Sequence, residues 1–144
     1  MTLTRLFNPY SNMMNRFFEG DMMDFADRNY SSKNASLPAV NIHENNDEFI
    51  IEVAAPGMKK KDFKISYDNG RLTISSDMKE EVTEGESYTR REFNYQAFQR
   101  SFEISHEIVD GDKIKARYED GILRILLPKR EEVKPKPARE ISIL

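Results

Sequence analysis

No cysteine occurs among the 144 residues, which excludes disulfides, thiolate nucleophiles and cysteine zinc sites and fits a reducing compartment. Histidine is almost missing too: His43 and His106 stand alone, without the spaced partners that a metal site or a Ser-His-Asp triad needs. Gly57, Gly70, Gly85, Gly111 and Gly121 never gather into a phosphate-cradling run, and no GK[ST] follows any of them. Asp110-Gly111-Asp112 is a fragment of a calcium loop that lacks the other ligands and the bidentate Glu. No stretch approaches the ~20 apolar residues of a membrane span, and the N-terminus has no basic segment leading into an apolar run with a cleavage site. An excess of basic charge is missing as well, since 22 Lys and Arg face 25 Asp and Glu for a net charge of −3, so nothing attracts nucleic acid. These absences predict a soluble, cytoplasmic chain with no catalytic residue, metal or cofactor, and with no nucleic-acid or stable membrane partner.

What is present falls into three parts. Residues 1–36 hold five of the seven Met and four of the nine Phe, a composition that is sticky but specifies no core. Asn8-Pro9 is a helix start, with Asn as cap and Pro in the first turn, and Tyr10, Met13, Met14, Phe17 and Phe18 then recur at helical spacing. A short amphipathic helix is expected over about 9–18, with a weaker one around 21–26. Arg16 alone on its polar side gives little pull toward anionic lipid. Met is unbranched and polarisable and Phe supplies area, so Met13, Met14, Phe17, Phe18, Met22, Met23 and Phe25 suit a surface that accepts many unfolded partners.

From 37 to 128 the apolar period becomes two. Phe49, Ile51 and Val53 alternate with Ile50, Glu52 and Ala54 up to Pro56-Gly57, a half-buried strand ended by a turn. Phe63, Ile65 and Tyr67 lead through Asn69-Gly70 to Leu72 and Ile74, and Ile114, Ala116 and Tyr118 lead through Asp120-Gly121 to Leu123, Ile125 and Leu127. Each set is a hairpin on a tight primed turn. With shorter strands near 40–43 and 98–104 there are seven or eight strands and no convincing helix, the pattern of an all-β antiparallel sandwich. His106, beside Glu107, Asp110 and Asp112, belongs to a polar loop.

Two segments remain. Residues 77–92 form a charged loop around Gly85 that is long for a compact domain, with Tyr88, Phe93 and Tyr95 to bury. Residues 129–140 are rich in Lys, Glu and Pro and predict a stiff extended tether of up to ~37 Å at ~3.1 Å per residue. The tether ends in Ile141, Ser142, Ile143 and Leu144. On a strand-like tip Ile141 and Ile143 point the same way, a pair of knobs ready to dock on another copy of the domain.

The stretches "AAPGMKKKDFKI", "NGRLTISS", "FQRSFEI", "ARYEDGILRILLP" and the terminal "ISI" resemble the small heat-shock proteins, the α-crystallin-domain chaperones of bacterial and plant type. Ala116 followed by Asp120-Gly121-Ile122-Leu123 is similar to the family's A-x-x-x-(N/D)-G-(V/I)-L signature, and Ile141-Ser142-Ile143 to its I-x-I motif. The resemblance implies an immunoglobulin-like sandwich over 37–128, flanked by a flexible, partly helical arm over 1–36 and an extended C-terminal tail over 129–144. It further implies dimers that build a homo-oligomer, with the I-x-I motif in a groove lined by Phe63, Ile65, Ile114, Ala116 and Tyr118. A loop strand over Ser87, Tyr88, Thr89, Arg90 and Arg91 would cross to the partner subunit, and Arg100 would lie near that dimer interface paired with a carboxylate. The chain departs from the family's habits at Phe93 and Gln96, where Arg and Gly are common, and at Ile104-Ser105, where Leu-Pro is. The function implied is that of an ATP-independent holdase for unfolded client proteins under heat stress, handing them to ATP-dependent chaperones. The alternative is a sandwich-type co-chaperone or adaptor with one folded partner, which has no use for a terminal ISI or a Met/Phe-rich arm.

Overall fold

Period-two apolar residues bury one side of each strand, and tight turns double the strands back. The structure, a computed structural model, describes residues 30–31, 35–81 and 83–144. Its strands are β1 (Tyr30–Ser31), β2 (Val40–Glu44), β3 (Glu48–Ala54), β4 (Phe63–Asp68), β5 (Arg71–Ser76), β6 (Phe98–Glu103), β7 (Lys115–Glu119) and β8 (Ile122–Pro128). They form two antiparallel four-stranded sheets, ordered β1-β6-β5-β4 and β2-β3-β8-β7. The all-β sandwich read from the sequence is therefore the fold, and among the described residues no helix is long and apolar enough to cross a membrane. The helices expected over 9–18 and 21–26 lie outside the described residues. So do all seven Met and Phe residues assigned to client capture.

Both hairpin turns carry the backbone their sequences call for. Asn69 and Gly70 have φ of 48° and 74°, and Asp120 and Gly121 have 51° and 77°, the paired positive values of a type I′ turn. The register they set places Ile65 opposite Ile74 and Ala116 opposite Ile125. Phe49, Ile51, Val53, Leu72, Ile74, Ile125 and Leu127 then meet between the sheets, each almost wholly buried.

Two features depart from expectation and a third adds to it. A two-residue strand, β1, lies within the stretch assigned to the arm, and it pairs Tyr30 with Gln99 and Ser31 with Phe98. The extended tether over 129–140 is corrected in its first half. Lys129 is buried and bridged to Val109, Glu131–Val133 form a 3-10 turn, and Val133 packs against the core. Arg100 shares the inward row of Phe98 and Phe102, is only 7% exposed, and faces Ile74 across the ladder.

Candidate interaction surfaces

β4 and β7 are the edge strands on the same side of the two sheets, so their inward rows face a slit at the sandwich margin. One end of the slit is closed where the Phe63 and Tyr118 rings meet at 4.9 Å between centroids. The Tyr118 hydroxyl donates to the Ala55 carbonyl at 2.7 Å, which holds that wall in place. At the other end Tyr67 donates to the Ile104 carbonyl at 2.6 Å, and burial pushes its pKa up. Tyr67 lies so close to Gly111 that a Cβ there would stand 2.7 Å from its ring.

Between these walls sit Ile65, half-buried, and Ala116, exposed although it lies on the inward row. Ala116 pairs with Ile125 and Ile65 with Ile74, and these two partners are fully buried. Ile114, half-buried, lies just before β7, after the 3-10 turn Gly111–Lys113. Of the five residues read as a groove, Phe63 and Tyr118 touch, Ile65 lies on β4, Ala116 on β7 and Ile114 just before β7. Sequence reasoning named both residues of the Phe63–Tyr118 end but missed the other, since the bond from Tyr67 to Ile104 joins positions 37 apart in the chain and nothing local signals it.

The tail tip has no place on its own domain: Ile141 is 81% and Ile143 98% exposed. The loop residues Ser87, Tyr88, Thr89, Arg90 and Arg91 are exposed and form no strand within the single chain. The Arg91 guanidinium lies 4.4 Å over the Tyr88 ring and also pairs with Glu80, whose carboxyl it holds below its usual range. Tyr88 and Phe93 stay exposed at the margin of a cleft of about 430 Å³ lined also by Met78 and Tyr95. The Arg100 guanidinium carbon is 5.7 Å from the Phe102 ring, and burial lowers its pKa. Among the described residues no three His, Asp or Glu come together as a metal site.

A sandwich with a marginal slit and an exposed I-x-I tail is matched by the Hsp20/alpha crystallin family model over residues 41–144. The chain belongs to this family. Heat shock protein 16 of Schizosaccharomyces pombe is 38% identical over 111 residues, 74% of each chain. Small heat shock protein C2 of Rickettsia felis is 36% identical over 128 residues, 87% of this chain and 82% of that one. Among solved structures, a small heat-shock protein from Xylella fastidiosa superposes with a TM-score of 0.59 at 30% identity, over 75% of this chain and 96% of that one. The Hsp20 family protein described here therefore has small heat shock proteins as relatives by both sequence and fold.

Proposed function

We propose that this chain is an ATP-independent holdase that binds partly unfolded proteins under heat stress, and that it is stored as a homo-oligomer of dimers held by tail docking. What supports the reading is a match of spacing between β4 and the exposed tip. Phe63, Ile65 and Tyr67 project inward at every second residue of β4, a spacing of about 6.6 to 6.8 Å. Ile141 and Ile143 have the same spacing on an extended tip, so one enters on each side of Ile65, and Ala116 leaves room opposite. Burying each isoleucine is worth ~1.5 to 3 kcal/mol before ordering costs. A single docking is weak, and many in a closed assembly reinforce one another through effective concentration.

Dimer formation draws support from two further features. Among the described residues β2 pairs only with β3, so its outer edge is open, and loop 87–91 offers exposed backbone and the Tyr88 ring to add to it. Clients would be held by apolar contact alone, with Met13, Met14, Phe17, Phe18, Met22, Met23 and Phe25 as the adaptable surface, and release to ATP-dependent chaperones would follow. No step needs a catalytic residue, a metal or a cofactor.

The test is Ile141→Ser with Ile143→Ser. Native mass measurement is expected to show a smaller particle, with the sandwich still folded by circular dichroism. An unchanged mass would refute tail docking.

A further inference from the structure

Immediately after β8 the chain places a lysine where solvent does not reach. Lys129 is 4% exposed, and its ammonium donates to Glu44 Oε1 at 2.7 Å and to the Asn45 carbonyl at 2.8 Å. Its charge also lies 4.8 Å from the centre of the Phe49 ring. The Lys129 amide donates to the Asp47 carbonyl at 2.7 Å. Both its ends are thus fastened to the turn that joins β2 to β3.

The next residues continue the attachment. The Arg130 amide donates to Ile108 O at 2.8 Å and its Nε to His106 O at 2.6 Å. The Val133 amide donates to Arg130 O, and that of Lys134 to Glu131 O. The Lys134 ammonium reaches Glu131 at 2.7 Å and stands 3.9 Å from Asp47. Beyond this point residues 135–144 are all exposed.

A buried ion pair is a poor source of stability, because desolvating two charges offsets most of their attraction, and apolar side chains of similar volume often serve as well. What such a pair supplies is geometry: the Lys129 ammonium, on a side chain 3% exposed, keeps both its acceptors only while Glu44 and the Asn45 carbonyl stay where they are. We propose that Lys129 and Glu44 form an anchor that fastens the root of the tail to the β2–β3 turn, making them positioning residues for the contact between subunits. The free tether is then the six residues 135–140, about 19 Å at ~3.1 Å per residue, half the length that composition suggests. A shorter tether leaving at a fixed point restricts which neighbouring slits the tip can enter, and so narrows the range of assemblies.

The inference rests on tail docking, and its test separates the two. Hydrogen exchange on the full chain should show the amides of Arg130, Val133 and Lys134 exchanging roughly tenfold or more slowly than those of 136, 138 and 139. Equal rates would overturn the anchor without any variant being made. The double change Glu44→Gln with Lys129→Met removes both charges of the pair and leaves no buried ammonium without its carboxylate. It is expected to abolish that protection and broaden or shift the distribution of native masses, with the core amides of β3 and β8 still protected. Lost protection with an unchanged mass distribution would overturn the role in assembly. The Ile141→Ser/Ile143→Ser chain is the control: it should keep the root amides protected while its particle shrinks, and failure to shrink strikes the docking reading, leaving the anchor to be judged by exchange.

Discussion

Ala116 is the smallest inward side chain of β7, and it stands between two aromatic walls. Filling that space should do what removing the tip does. Ala116→Phe is expected to reduce the native mass of the particle as Ile141→Ser/Ile143→Ser does. Because Ala116 is exposed in the single chain, unfolding stability should move by no more than about 0.5 kcal/mol. A particle of full size from the Ala116→Phe chain would place the docking surface elsewhere. Ala116 was legible in the sequence because its phase with Ile114 and Tyr118 is visible without structure. Arg100 gave two signals that disagree: its phase matches Phe98 and Phe102, while its charge argues for solvent, and the inward phase prevailed. Lys129 gave only the wrong signal, since it opens a polar, proline-rich stretch and its partner Glu44 lies 85 positions earlier.

At the scale of elements, hairpins were readable because each is local: an apolar alternation, a turn pair that tolerates positive φ, and a second alternation. Gly121 shows what the second turn demands. Its φ is 77°, and a Cβ there would lie 3.3 Å from Pro56 Cα. Gly121→Ala is expected to destabilise the domain by about 1 kcal/mol or more, seen as a lower denaturant midpoint. Pairings between distant segments had no such signature, which is why the two-residue β1 went unread.

One cross-strand cluster gives a pH dependence. Glu52 of β3 accepts from His43 Nε2 of β2 at 2.6 Å and from Arg124 Nε of β8 at 3.0 Å. The hydrogen bond from His43 is the largest cause holding the Glu52 carboxyl below its ordinary value; burial, the next largest, opposes it, and the hydrogen bond from Arg124 with the charges of both neighbours adds to the lowering. A carboxyl with a depressed folded pKa lends stability above its unfolded value, about 4.3, and loses it as pH falls through the folded one. Glu52→Gln should therefore flatten the fall in denaturant midpoint between about pH 5 and pH 3. An acid limb identical to that of the unchanged chain would show that the cluster does not couple to folding.

For the whole molecule, the proposed division of labour is between a sandwich with a marginal slit and terminal segments that carry the docking tip and the Met/Phe-rich residues. On the proposed tail docking, weak contacts would set an equilibrium between large and small species, which a ligand or temperature can shift only through a difference in free energy between them. In that scheme heating would favour the dissociated state, because many tips, each held by little, regain freedom together. If the Met/Phe-rich arm is the surface set free, deleting residues 1–35 should abolish protection of a heated client while leaving a folded dimer, because the sheets and the slit-lining residues lie beyond the cut except for β1. The check is light scattering of an aggregating client without ATP, run beside native mass measurement over the same temperatures. Full protection by the truncated chain would move client capture onto the sandwich, where the exposed rings of Tyr88 and Phe93 are the next apolar surface a client would meet.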